Sequence, residues 1–210
     1  MATPSADCRL CPRLAAFRDD NRHAHPEWHN APVPSFGADD ALLLVVGLAP
    51  GLRGANRTGR PFTGDHAGEL LFATLLSHGL AEGSYGRAAD DGLRLTRCRI
   101  SNAVRCVPPA NRPTPEEIRT CNPFLRAEIA ALPRLRVIVA LGLVAHQAVL
   151  AALELPRRAF PFAHGALHTL SSGRLLADSY HCSRQNTNTG RLTPAMFDAV
   201  FAAAQAALPA

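Results

Sequence analysis

Short apolar runs and longer amphipathic segments alternate along this chain, as they do in α/β proteins. LLLVVG at residues 42–47 and LRVIVALG at residues 135–142 are too short for helices, and their continuous apolar character is typical of strands buried on both faces. Shorter patterns predict two more strands, at residues 100–104 and within LLADSY at residues 175–180. Helical patterns lie between these runs, which predicts a sheet whose strands are mostly parallel.

Helices are predicted where apolar residues recur every three or four positions, at residues 8–20, 66–82, 114–132, 143–155 and 194–208. Thr114, Pro115 and Glu117 have the pattern of a capped helix start. The predicted fold is a three-layer α/β/α sandwich with a central, mostly parallel four-stranded sheet. A chain of 210 residues can bury a full core, so we predict a single domain over residues 1–210.

A glycine-rich segment, GLAPGLRGANRTGRPFTGD, follows the first strand. Glycines let the backbone approach a ligand closely, and loops after parallel strands meet at one edge of the sheet, so we predict a site there. The segment lacks the Lys and hydroxyl pair of a Walker A loop and the spacing of a dinucleotide fingerprint, so we expect no nucleotide cofactor. Asp65 suits water activation or stabilisation of a developing cation. The alternative is that Asp65 only caps the next helix. Phe62 could stack on a planar ring.

The composition narrows the chemistry only slightly. The net charge of +5 permits a polyanionic partner, and no segment resembles a signal peptide or a membrane span, so we expect a cytoplasmic protein with no membrane contact. All 22 basic residues are arginine, so no side-chain amine can form a Schiff base.

Four of the six cysteines have a spacing that suggests metal ligation. Cys8 and Cys11 form one local pair, while Cys106 and Cys121 flank a proline-rich loop. Thiols in a chain without a secretory signal are kept reduced, which favours a metal over disulfides. The spacing fits zinc or a [4Fe-4S] cluster, with zinc the commoner choice, and unligated packing cysteines are the alternative.

The last predicted strand runs into HCSRQNTNTGR. His181 suits donating a hydrogen bond to an oxygen that becomes anionic, and Ser183 and Arg184 suit contacts with a phosphate backbone. The adjacent Cys182 could suggest a thiol protease, but neighbouring side chains on an extended strand end point apart.

Three segments resemble one known family when they are taken in order. They are GLAPGLRGANRTGRPFTGD, ISNAVRC with PPANRPTPEE and a later Cys, and SYHCSRQNTNTGRLT. Together they are similar to the iron-sulfur members of family 5 of the uracil-DNA glycosylase superfamily. Leu48 stands where the sister family 4 has an acid, and this favours family 5. Cys182 stands where proline is common.

The resemblance implies a role for each matching residue. Cys8, Cys11, Cys106 and Cys121 match ligands of a [4Fe-4S] cluster, which replaces zinc as the expectation. Phe62 matches the aromatic residue that stacks on a flipped base, Asp65 and Asn102 match a polar pair near the sugar and the base, and His181 matches the histidine of the last motif. Leu48 and Ala49 are expected to shape the pocket, and contacts with DNA are expected from Arg57, Arg60, Ser183, Arg184, Gln185 and Asn186.

The function implied is that of a monofunctional glycosylase, a monomer that flips uracil out of single- or double-stranded DNA and hydrolyses its N-glycosidic bond. Hypoxanthine and xanthine are further possible substrates. Two alternatives are a module that binds uracil-containing DNA without turnover and an iron-sulfur redox protein.

Overall fold

The structure is a computed structural model that describes residues 3–209. The strands are β1 (Phe36–Gly37), β2 (Leu43–Gly47), β3 (Ala81–Glu82), β4 (Arg94–Leu95), β5 (Cys98–Asn102), β6 (Val137–Leu141), β7 (Leu167–Thr169) and β8 (Leu175–Ser179). Six of them form a sheet in the order β1-β5-β2-β6-β8-β7, while β3 and β4 make a separate hairpin. The four central strands are parallel, and β1 and β7 are antiparallel edges.

The α/β class predicted from the sequence is confirmed, whereas the sheet has six strands rather than the predicted four. The four predicted strands are the parallel ones. The two additional strands are edges of two and three residues, too short to carry a periodic hydrophobic signal. The strand predicted at residues 100–104 is observed two residues earlier, as β5 at Cys98–Asn102.

Helices cover both faces of the sheet. They are α1 (Pro12–Ala24), α2 (Ala55–Thr58), α3 (His66–Ser77), α4 (Pro115–Ala130), α5 (Leu143–Ala152), α6 (Arg184–Asn188) and α7 (Pro194–Ala206). The capping box predicted at Thr114 is present, with Glu117 completing it. The short helices α2 and α6 are not predicted, because four or five residues cannot show a helical period.

Alternate residues of the buried strands supply two hydrophobic cores. Leu43 and Val45 of β2 belong to a cluster with α3 and α7, while Leu44 and Val46 belong to a second cluster with α4 and α5. All four side chains are fully buried. This two-sided burial explains the continuous apolar run and fixes the sheet between two helical layers.

A buried ionic network joins β5 to α4. Glu128 accepts hydrogen bonds from Arg99, Ser101 and Arg105, and the side chains of all three charged residues are nearly inaccessible. Burial opposes ionisation of Glu128, but Arg105 and its other partners hold the pKa below its usual value. The network therefore fixes the end of β5, where Asn102 lies.

None of the helices within residues 3–209 is both long enough and apolar enough to cross a membrane.

Replacing Glu128 by alanine removes the shared buried acceptor of Arg99 and Arg105. We expect the free energy of unfolding, measured by urea denaturation, to fall by about 3–5 kcal/mol, because a buried charge is left uncompensated. The control is Asp40→Ala, which breaks an ion pair with Arg134 whose side chains are 65% and 60% exposed. That loss should stay below about 1 kcal/mol, and similar losses for both variants would contradict the prediction.

Candidate active site

The carboxyl ends of the parallel strands surround a small cavity of about 30 Å³. Its walls come from the loop after β2, the last residue of β5 and the segment after β8. The lining residues are Ala49, Pro50, Gly51, Ala55, Phe62, Asp65, Ala67, Asn102 and His181. The structure thus brings together Phe62, Asp65, Asn102 and His181, which the sequence places in three separate segments.

Asn102 reaches the cavity because β2 and β5 end side by side. Gly47 is the register partner of Asn102, and the amide of Ala103 donates to the Gly47 carbonyl at 2.9 Å. A Cβ atom on Gly47 would overlap both Asn102 Oδ1 and the ring of Phe62. A glycine is therefore required where the first strand passes these two side chains.

Phe62 forms one wall of the cavity. Its φ of 55° lies in the left-handed region, which bulky residues rarely adopt. The hydroxyl of Tyr85 donates to the Phe62 carbonyl at 3.2 Å and holds this backbone in place. The ring stacks on His181, with centroids 5.9 Å apart and planes at 25°. The unfavourable backbone conformation thus keeps an aromatic face beside the histidine.

Asp65 sits at the N-cap position of α3 but makes no side-chain capping bond. Its Oδ1 is buried and has no hydrogen-bond partner among the described residues. Cβ atoms on Gly51 or Gly54 would crowd Oδ2, the former at 2.9 Å. Burial raises the pKa of Asp65, against the opposing influence of the Gly68 and Ala67 amides. The carboxyl group is therefore held in the cavity with an unused oxygen.

His181 follows β8 and is partly accessible to solvent. Surrounding protein lowers the pKa of its imidazole to about 4, so the ring is neutral at pH 7. Its carbonyl accepts a hydrogen bond from Asn186 Nδ2 at 2.8 Å, which anchors α6 beside the cavity. A neutral imidazole can donate one hydrogen bond into the cavity and carries no charge of its own.

Cys182 has a structural place next to His181. Its side chain is fully buried, and its thiol donates to the carbonyl of Ala67 at 3.4 Å. Burial raises the pKa of this thiol, so it stays protonated and is a poor nucleophile. The contact ties the last motif to α3, which a proline could not do.

The other residues predicted to contact the base or DNA differ in whether they line the cavity and in how exposed they are. Ala49 lines the cavity, whereas Leu48 is not among the described residues that line it. Arg57 is exposed. Arg60 contradicts the prediction that it contacts DNA, because it is 4% exposed and both terminal nitrogens bind Asp91 at 2.7 Å. Asp91 lies in a distant loop, and the paired guanidinium holds its pKa well below the usual range.

The segment after His181 forms a capped helical turn. The Ser183 hydroxyl accepts from the Asn186 amide at 3.4 Å, so both residues have contacts within the segment. Arg184 and Gln185 are exposed, and their side chains form no hydrogen bond with any described residue. The Ser-x-x-Asn spacing is the signal that could have predicted this turn.

The four cysteines predicted as metal ligands line a second small cavity, of about 20 Å³. No disulfide joins any of the described cysteines. Burial raises the pKa of Cys106 to about 12 and that of Cys11 to about 11, so a metal would have to displace protons from these thiols. No three of the described sulfurs lie within 4.8 Å of one another. Tetrahedral zinc with 2.3 Å bonds would hold its four sulfurs about 3.8 Å apart.

Arg18 lies next to Cys8 and Cys106 of this second cavity and forms no ion pair with an acidic residue within residues 3–209. It is 1% exposed, and its Nη1 donates to the Cys8 carbonyl at 3.0 Å and lies 3.9 Å from Cys106 Sγ. Nε and Nη2 are buried with no partner among the described residues. A buried guanidinium without a counter-charge is costly, so this arrangement fits a negatively charged group held by the cysteines.

The comparisons with known proteins agree with this geometry. A family model described as the uracil DNA glycosylase superfamily matches residues 34–205. A type-5 uracil-DNA glycosylase of Thermus thermophilus is 50% identical over 90% of this chain and 89% of its own length. Type-5 enzymes of Mycobacterium bovis and Pyrobaculum aerophilum are 45% and 43% identical, covering 92% and 89% of this chain and 75% and 83% of their own lengths. The chain belongs to the uracil-DNA glycosylase superfamily, within its type-5 family.

Proposed function

We propose that this protein is a monofunctional uracil-DNA glycosylase, which hydrolyses the N-glycosidic bond of uracil in DNA and leaves an abasic site for repair. The observation that carries the proposal is the half-buried Asp65 carboxyl group, whose buried Oδ1 has no described partner, in one cavity with Phe62, Asn102 and a neutral His181. Type-5 uracil-DNA glycosylases at 43–50% identity over most of the chain support it.

The position of the cavity suits a base that has left the stack, because Phe62, Asp65, Asn102 and His181 all line it. A base within a duplex cannot expose its sugar bond, so the nucleotide must be flipped at a cost of roughly a few kcal/mol, which is smallest for mispairs such as uracil with guanine. The Phe62 ring would then stack on the flipped uracil, and the Asn102 amide can pair with its polar edge. Hypoxanthine and xanthine present similar polar edges and are further proposed substrates.

Asp65 and His181 would divide the two charges that develop when the bond breaks. The C1′–N1 bond breaks with its electron pair moving to uracil, so the sugar becomes cationic and the base anionic. The Asp65 carboxylate would stabilise the sugar, orient the attacking water and accept its proton. The neutral imidazole of His181 would donate a hydrogen bond to the uracil oxygen that gains charge.

We also propose that Cys8, Cys11, Cys106 and Cys121 hold a [4Fe-4S] cluster. Four thiols around one cavity and the uncompensated Arg18 guanidinium support this assignment. When bound, the cluster would cross-link the segment before α1, the segment after β5 and the second turn of α4. It has no place in the hydrolysis, because the cysteines do not line the Asp65 cavity.

The surroundings of the site support a DNA substrate. Arg57, Arg184 and Gln185 are exposed near the cavity and are proposed to contact the backbone, with Ser183 and Asn186 shaping α6. Six free cysteines suit the reducing cytoplasm, where we place the protein. The predicted monomer stays a prediction.

The excision assay uses a uracil:guanine oligonucleotide followed by alkali, which cleaves abasic sites. We expect His181→Ala to lower kcat by about 10²–10³-fold through loss of a hydrogen-bond donor, and Asp65→Ala to lower it by about 10²–10⁴-fold. Activity should fall on the acid side as Asp65 becomes protonated. The control is His23→Ala, an exposed histidine on α1.

No strand break with the wild-type protein would overturn the proposed function. Tight binding of uracil-containing DNA with its bonds intact would favour the binding module instead. Full activity of the Asp65→Ala, His181→Ala double variant would leave the function standing and overturn the assigned mechanism.

Asp65 should reduce stability at neutral pH. Its pKa is raised on folding, so the native state binds more protons than the unfolded state, and stability falls as pH rises above the unfolded value of about 3.9. We expect Asp65→Asn to have a higher free energy of unfolding than the wild type at pH 7. This difference should vanish once the pH is below the unfolded-state pKa of about 3.9. Chemical denaturation at several pH values checks this, with the exposed Asp20→Asn as control. A less stable Asp65→Asn at pH 7 would contradict it.

Arg18→Met should weaken retention of the cluster. Losing a partner just outside the ligands typically costs 10–100-fold in metal affinity, so iron release to a chelator should be about tenfold faster or more. Iron and sulfide per protein and visible absorption are the readouts. Arg9→Met, which removes an exposed partner of Asp19, is the control. A colourless wild-type protein containing zinc would overturn the cluster, whereas unchanged iron release in Arg18→Met would overturn only the role of Arg18.

A further inference from the structure

A second surface feature lies against the loop that carries Asp65. It is an open cleft of about 440 Å³ lined by His25, Trp28, Arg53, Arg57 and Gly64, here called the Trp28 cleft. None of these residues lines the Asp65 cavity. The cleft combines an aromatic plate with two cationic side chains, and this combination suits single-stranded nucleic acid.

The aromatic plate is held in place before any ligand binds. The rings of His25 and Trp28 stack with centroids 3.8 Å apart and planes within 6°. The Trp28 amide also donates to the His25 carbonyl at 3.1 Å, which fixes the turn between them. Trp28 remains partly exposed in the cleft, so its ring is available to a planar group.

The charges of the cleft favour a phosphate group. Arg53 and Arg57 are exposed, and neither forms an ion pair with an acidic residue of the described chain. Arg57 Nε donates to the Arg53 carbonyl at 3.0 Å, and this hydrogen bond keeps the two arginines next to each other. The acidic residue on this segment is Glu27. Its Oε1 lies 3.8 Å from Nδ1 of His25, the ring on which Trp28 stacks.

The cleft and the Asp65 cavity share one loop. Gly64 lines the cleft and the next residue, Asp65, lines the cavity. Arg53 likewise precedes Gly54, where a Cβ atom would overlap the Asp65 carboxylate. A strand whose nucleotide enters the cavity therefore passes the two arginines with its neighbouring phosphates.

We infer that the Trp28 cleft binds the substrate strand beside the flipped nucleotide, with Arg53 and Arg57 on its phosphates and one unpaired base on Trp28. The inference rests on the proposed function, since it assumes a DNA substrate in the Asp65 cavity. A base in a duplex is covered by its neighbours, so the stacking contact is made mainly by single-stranded DNA. The cleft thus increases the affinity of the enzyme for single-stranded DNA that contains uracil.

The test measures binding of the full chain to a single-stranded oligonucleotide and to its uracil:guanine duplex. Both carry a 2′-fluorinated uracil nucleotide, which resists cleavage. Trp28→Ala should weaken single-strand binding by about fivefold or more, with a clearly smaller effect on the duplex. Trp28→Phe should restore most of the single-strand affinity, because a planar ring is kept.

The arginines are tested by salt dependence. Each of Arg53→Gln and Arg57→Gln should reduce the slope of log affinity against log salt by about 0.7 for the single strand, since each removes one phosphate contact. The matched control is Arg136→Gln, an exposed arginine just before β6 and so at the opposite edge of the sheet. Its slope should equal that of the wild type.

Two results would overturn the inference. One is an equal loss of single-strand and duplex binding in Trp28→Ala, with Trp28→Phe no better. The other is an unchanged salt slope in both arginine variants. A wild type that binds as expected but fails to excise uracil from cleavable DNA would instead overturn the proposed function, so the two failures are distinguishable.

Discussion

The arrangement of the candidate site depends on a close approach between backbone and carboxylate. Asp65 occupies a space that side chains on Gly51 and Gly54 would fill, and Gly47 leaves a similar space for Asn102 and Phe62. These glycines let the half-buried Asp65 carboxyl group face the cavity, where its Oδ1 has no hydrogen-bond partner among the described residues. Larger residues there would push the acid toward solvent, where burial could no longer raise its pKa.

The sequence predicts most of the site because the site lies where parallel strands end. Asn102 and His181 follow or end strands, and Phe62 and Asp65 lie in the loop after β2, so parallel topology alone brings their segments to one edge. Arg60 shows where this reasoning fails. Its partner Asp91 lies 31 residues away, and no local pattern indicates that a loop arginine will be buried by such a pair.

The missed elements are those whose form depends on distant contacts. Strands β1 and β7 have two and three residues and exist because β5 and β8 offer free edges. The turn α6 is fixed by its cap and by the bond from Asn186 to the His181 carbonyl. Neither signal is a hydrophobic period, which is the main guide to secondary structure in a single sequence.

The position of the cysteine cavity has a consequence for how the chain matures during synthesis. Cys8 and Cys11 leave the ribosome first, yet 94 residues separate Cys11 from Cys106. By then β2, α3 and β5 have already been made, and domains fold from the N-terminal side as they emerge. A cluster held by all four cysteines, as proposed, could be completed only after Cys121 has been made. Assembly of a cluster at this cavity would thus need α4 but neither β6 nor β8, and it would close the span of 94 residues between Cys11 and Cys106.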